Sequence, residues 1–309
     1  MTRIHEGPII AAALLAAVVA TGCSESDAPP PAKAQNVAQT APSSPVSTPA
    51  LDEGSATKLE GPASFADGEA AYAANDYAGA TRVFARYVEQ SPDNAWGHFM
   101  LGLSAWKSGD LARAEGAFGK ALDRDPNHVK SLVNLGRVLL DAKRPEDALE
   151  RLTRAADIDP LSGDAHRLLG RAYHAQGKTD EAVDAYRRAI ELDPKDGWAM
   201  NNLGLLFLEQ QRAADALPLL ARAAELRKDV PAFHNNLGMA LEHTGRFSAA
   251  AAAYSGALAA DPDYGKAKQN LARVALVKEG PVEPVDPDDV ATSAVEEAEI
   301  PRDDEVVGQ

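Results

Sequence analysis

The sequence predicts an all-α solenoid of repeated helical hairpins, and three observations carry that expectation. Gly68, Gly102, Gly136, Gly170, Gly204 and Gly238 are spaced at a constant 34 residues. Twelve residues after each stands an alanine: Ala80, Ala114, Ala148, Ala182, Ala216 and Ala250. Prolines recur in one register at Pro92, Pro126, Pro160, Pro194 and Pro262. A period of this length marks an array of one supersecondary unit. With aromatic residues at 6% and alanine, leucine and charged residues dominant, that unit is helical rather than stranded.

Each column has a physical cause. Two antiparallel helices approach closely only where side chains at the crossing are small, and a large side chain must fill the space beside them. The large column reads Phe84, Phe118, Leu152, Tyr186, Leu220 and Tyr254, and a further small column Ala121, Ala155, Ala189, Ala223 and Ala257. Leu101, Leu135, Leu169, Leu203, Leu237 and Leu271 precede the glycine column or its equivalent and fall on the buried face of a first helix. The prolines stop a second helix, because proline has no amide hydrogen and restricts the residue before it.

These small, aromatic, alanine and proline columns resemble the tetratricopeptide repeat over about 61–264, with a lone closing helix at about 265–278. The resemblance implies a right-handed solenoid of six helix-turn-helix repeats plus a C-terminal capping helix. It also implies a concave groove, lined by the first helices, of the kind that holds peptides or partner helices. Lys228 stands where proline is expected, with Pro231 three residues later. Pro218, inside the second helix of repeat five, should bend that helix or leave a carbonyl unpaired. In the closing helix Lys266, Lys268, Gln269 and Arg273 suit a solvated cap.

Side chains that vary while the packing columns stay fixed are the candidates for binding. Trp96, Phe99, Leu103 and Trp106 recur at helical spacing in repeat two, and Trp198 takes the register of Trp96 in repeat five. They either anchor a partner or pack between neighbouring repeats or against the segment that precedes them. Lys130, Arg137, Arg167 and Arg171, with Asp164 as counter-charge, project toward the same surface. An arginine fork there could grip a carboxylate, or the charges could simply pair. Asn202, Asn236 and Asn270, with Asn134 earlier, each precede the leucine column. They resemble the asparagine ladder of the O-GlcNAc transferase superhelix, which implies amides bonding a bound peptide backbone; bonding to water or a neighbour is the alternative. His98, His166 and His234 share a column but lie 68 residues apart, too far for one metal site, so no metal or other cofactor is expected.

Ahead of the repeats, Ile9 to Thr21 is an apolar run closed by Gly22 and Cys23. A spanning helix needs roughly 20 apolar residues, whereas a secretory signal needs about 7 to 15 followed by small ones. Ala20-Thr21-Gly22-Cys23 resembles the lipobox of bacterial lipoproteins, which implies a signal peptide at 1–22 and lipidation of Cys23, the single cysteine. An ordinary signal peptide with an incidental cysteine is the other reading. Ser24, by the same resemblance, implies the outer membrane, facing the periplasm. Residues 23–60 then form a disordered linker rich in proline, alanine, serine and threonine.

The net charge of -15 is concentrated at 279–309, where eleven acids face Arg302 alone; residues 61–278 carry only -2. That acidic tail is expected to be disordered, serving solubility or docking to a basic partner. No basic stripe is present, which argues against nucleic acid. The motifs of zinc hydrolases, serine hydrolases and phosphate-binding loops are absent, so the chain is not expected to be an enzyme. The expectation is a membrane-tethered scaffold of the cell envelope that binds protein partners. A pilotin or assembly factor for an outer-membrane machine, and a glycan- or lipid-binding module, are the alternatives.

Overall fold

The computed structural model describes residues 63–277, which fall within a single structural unit. The expected signal peptide, Cys23 with its linker, and the acidic tail lie outside the described residues. Among those residues are thirteen α-helices and no strand: α1 Phe65–Ala73, α2 Tyr77–Gln90, α3 Ala95–Lys107, α4 Leu111–Arg124, α5 Val129–Asp141, α6 Pro145–Ile158, α7 Gly163–Ala175, α8 Thr179–Leu192, α9 Gly197–Glu209, α10 Ala213–Leu226, α11 Pro231–His243, α12 Phe247–Ala260 and α13 Gly265–Val274. Each odd helix pairs with the even helix after it, which makes six hairpins and a closing helix.

The hairpins are held by the two columns seen in the sequence. A Cβ on Gly68, Gly102, Gly170 or Gly238 would lie 2.4–2.6 Å, or 2.7 Å at Gly102, from a ring atom of Phe84, Phe118, Tyr186 or Tyr254; on Gly136 or Gly204 it would meet Leu152 or Leu220 at 2.5–2.6 Å. The large side chain therefore rests directly on bare backbone of the preceding helix. All six alanines of the twelve-residue column are fully buried.

The turn inside each hairpin uses a further 34-residue column. Asn75, Gly109, Lys143, Gly177, Gln211 and Gly245 all have φ between +62° and +87°. Glycine adopts this conformation without steric cost, asparagine with little, and Lys143 and Gln211 are strained by it. Between hairpins α4, α6, α8 and α12 end on an aspartate before proline. Asp125, Asp159, Asp193 and Asp261 are extended, as a pre-proline residue must be. Each accepts a hydrogen bond at Oδ1 from the amide two residues on, at 2.9–3.2 Å.

Of three local expectations, the one for Pro218 is met through its second alternative, an unpaired carbonyl, and the other two are corrected. Pro218 does not interrupt α10, which keeps the same 14 residues as α8 and α12; the carbonyl that loses its partner belongs to Ala214, which is exposed to water. The closing helix ends at Val274, short of 278. Arg273 is not a free solvated charge, because its fork grips Glu242 of α11 at 2.8 and 2.7 Å, and the Tyr254 hydroxyl donates to the same carboxylate at 2.8 Å. Burial pulls the Glu242 pKa upward, but these hydrogen bonds outweigh it and leave the carboxyl below its ordinary value. Where proline is missing at 228, Arg227 holds Asp229 through two hydrogen bonds of 3.1 Å, and Pro231 begins α11, a position that needs no amide donor.

Successive odd helices from α3 to α13 touch one another, whereas successive even helices do not to any comparable extent. The odd helices therefore form the inner face, and a shared surface runs across them.

If the bare-backbone contact sets hairpin spacing, Gly170→Ala should destabilise the chain by about 1–3 kcal/mol through overpacking against Tyr186. Gly116→Ala, on an exposed part of α4 with nothing within 4 Å, should stabilise it by up to about 1 kcal/mol. Thermal unfolding followed by circular dichroism reads both, and shifts in the same direction would refute the assignment.

Candidate partner-binding groove

The inner face carries a cavity of about 360 Å³ lined by residues of five odd helices: Tyr72 of α1; Leu103, Trp106 and Lys107 of α3; Arg137 and Asp141 of α5; Arg167 and Arg171 of α7; Trp198 and Asn202 of α9. Seven of the sequence-derived candidates thus converge: Leu103, Trp106, Arg137, Arg167, Arg171, Trp198 and Asn202.

The three arginines and Asp141 in the cavity are tied to residues of neighbouring repeats. Asp141 accepts the Trp106 indole N–H at 3.0 Å with one oxygen and pairs with Arg171 at 3.3 Å with the other. Arg167 Nε meets Asp196 at 2.9 Å, and its Nη2 reaches Asp164. Asp196 does double duty: its other oxygen caps α9 by accepting the Trp198 and Ala199 amides, both at 3.0 Å. The Arg137 guanidinium lies 5.0 Å from the Trp106 ring centroid and donates to Asn134 at 3.2 Å; its closest carboxylate, Asp164, is 3.8 Å away. Burial, and next the Arg167 charge, hold the Arg137 pKa below the ordinary arginine value. Lys107 sits 5.0 Å from the Trp106 ring centroid. Trp198 packs edge-on to Phe233, centroids 4.7 Å apart, leaving part of its indole to the cavity.

The other candidates lie elsewhere. Phe99 is only 5% exposed and belongs to the core, packed against Trp96, Phe118 and His128 at 4.8–5.9 Å, so it offers no surface to a partner. Trp96 is 39% exposed and carries Lys130 5.3 Å from its ring centroid; the pair forms a separate patch outside the cavity.

The asparagines bond to one another across helices. Asn236 Nδ2 donates to Asn201 Oδ1 at 2.8 Å, and Asn270 Nδ2 to Asn235 Oδ1 at 2.9 Å; Asn201 and Asn235 in turn donate to Asn202 and Asn236 at 3.4 and 3.5 Å. Asn236 is buried in this network, not presented to a peptide, and Asn202 alone of the three lines the cavity. His98, His166 and His234 each bring Nε2 to the carbonyl oxygen six residues earlier, at 2.9–3.2 Å, which pins the connection between hairpins.

Tyr72, Lys107 and Asp141 were not singled out from the sequence. The signal was present: Lys107 and Asp141 stand four residues after Leu103 and Arg137, and Tyr72 stands 34 before Trp106. One more helical turn along each inner face would have reached them.

Hairpins stacked so that one face of every first helix lines a shared groove define a helical-repeat binding scaffold. The sequence profile of the tetratricopeptide repeat matches residues 99–160, 133–197 and 201–265, more than half of the sequence, and the chain belongs to that family. Proteins of this family are generally non-enzymatic scaffolds for protein–protein interaction. The fold resembles that of a thermophilic tetratricopeptide protein of Thermus thermophilus, with TM-score 0.51 and 22% identity over 59% of this chain and 100% of that one. It also resembles the APC/C hetero-tetramer Cut9–Hcn1, with TM-score 0.62 and 17% identity over 67% of this chain and 41% of that one. At these identities the likeness is of fold alone. No curated protein matches the sequence significantly.

Asp196→Ala removes both the α9 cap and a partner of Arg167, whereas Asp196→Asn keeps the cap. The alanine variant should be less stable than the asparagine variant by about 1 kcal/mol, the usual worth of an N-cap. Urea midpoints compare them directly, and coincident midpoints would count against the double role.

Proposed function

We propose that the protein is a membrane-tethered scaffold of the cell envelope that takes a partner's extended or helical segment in the groove of α1, α3, α5, α7 and α9. The observation that carries this reading is the convergence of Trp106, Trp198 and Tyr72 with Lys107, Arg137, Arg167 and Arg171 on one cavity. Aromatic rings and guanidinium groups dominate the energetics of most protein interfaces. Here the Trp106 indole and the three guanidinium groups are already held by Asp141, Asp164 and Asp196, so little of their side-chain freedom remains to be lost on binding. A partner segment carrying a carboxylate beside an apolar or aromatic side chain matches this lining.

The tether is the lipidated Cys23, with 24–60 as spacer. It is supported by the apolar run at 9–21 and the Ala20–Cys23 sequence, and Ser24 favours the outer membrane, facing the periplasm. Several acyl chains on one cysteine anchor firmly where one would be marginal. Among the described residues no helix is long and apolar enough to cross a membrane.

Trp106→Ala and Arg137→Ala should each weaken partner capture, read by mild crosslinking and co-purification, by about tenfold or more, the range of an interface hot spot, with helical content unchanged. Ile158→Ser, on the exposed side of α6, should capture as the unaltered protein does. Capture that survives both groove substitutions would remove the groove from the mechanism. Separately, Cys23→Ser should move the protein from membrane to soluble fractions, and unchanged membrane recovery would contradict the lipid anchor.

A further inference from the structure

The cavity holds one more cation than the carboxylates around it can pair. Four cations line it, and the three carboxylates within 4 Å of them, Asp141, Asp164 and Asp196, all face the arginines, so one positive charge, that of Lys107, is left over. Lys107 touches only rings, of Trp106 at 5.0 Å and Tyr77 at 5.9 Å, and has no carboxylate partner among the described residues. Arg137 is crowded by Arg167 and Arg171, with its closest carboxylate 3.8 Å away. An added carboxylate at this point would relieve repulsion among three guanidinium groups and give Lys107 a partner.

The same chain carries the complementary segment. Residues 279–309 hold eleven acids and one base, and Val282, Val285, Val290, Val295 and Ile300 are interleaved among them. That mixture matches a cavity of cations and indole faces. The segment also starts within reach. The described chain ends at Val277 after α13, and α9, which supplies the near edge of the cavity through Trp198 and Asn202, is two odd helices away. At 8–10 Å between packed helices that is roughly 20 Å, which about six extended residues cover. A segment tethered so closely has an effective concentration on the order of millimolar, so even weak ion contacts would keep it bound.

We infer that the acidic segment 279–309 occupies the Arg137–Arg171–Lys107 cavity of its own chain, so that a partner must displace it. The inference rests on the groove reading above. It makes the scaffold self-masking: partners with stronger acidic or aromatic anchors gain access, and weaker ones are excluded.

The test uses the full chain in two forms, unaltered and with the eleven acids of 279–309 replaced by their amides. A fluorescently labelled peptide of sequence 279–309 is titrated into each and followed by anisotropy. The peptide should bind the amide form at least about tenfold more tightly than the unaltered chain, whose cavity is already occupied. That binding should weaken as salt is raised well above physiological strength and should fall several-fold in the amide form carrying Lys107→Glu, an exposed position. Equal affinity for the two chains, no binding to the amide form, or indifference to Lys107→Glu would each overturn the inference. If the peptide fails to bind while Trp106→Ala still abolishes partner capture, self-masking falls and the groove reading stands. If groove substitutions also leave capture intact, both fall together.

Discussion

The spacing of the whole solenoid depends on a large side chain laid against the bare backbone of a glycine sixteen residues before it. The contact recurs in all six hairpins, from Gly68 with Phe84 to Gly238 with Tyr254. A methyl group at any of these positions would push the two helices apart, because a close-packed interior has no spare volume to absorb it. Hairpin thickness in turn sets where the next hairpin stacks. The inner face is therefore a consequence of six equivalent contacts made some distance from it.

Across that face the odd helices are joined by polar links. Trp106 and Arg171 share Asp141, Arg167 meets Asp196, His174 Nε2 lies 2.7 Å from Glu209, Asn236 meets Asn201, and Arg273 meets Glu242. Single partly exposed ion pairs contribute little to stability. Their effect here is on orientation, since each fixes a side chain across the inner face, where successive odd helices meet. The same links hold the arginines and the Trp106 indole in place before any partner arrives.

Much of the candidate site could be read from the sequence because packing dictates so little of it. Where the columns for glycine, alanine and the large residue stay fixed, Trp106, Arg137, Arg171 and Trp198 stand out as departures. The failures are equally physical. Phe99 has the helical spacing of a groove residue, but its ring turns into the core beside Phe118. The asparagines before the leucine column were visible, yet Asn201 and Asn235, one position earlier, are what satisfy Asn236 and Asn270. A donor and acceptor that can reach a neighbour 35 residues away in sequence is not available to a ligand, and period alone does not reveal that reach.

By itself the sequence determined the helices, their number, where each turns and which residues seal the hairpins, because those follow from local sterics repeated every 34 residues: small at the crossing, large beside it, proline at the stop. Tertiary structure alone decided which exposed side chains meet. Trp106 and Trp198 are 92 positions apart in the chain and share a cavity. Trp96 is ten positions from Trp106 on the same helix and lies outside the cavity, because stacking successive helices brings distant residues side by side while nearly three helical turns carry Trp96 about 15 Å along the axis.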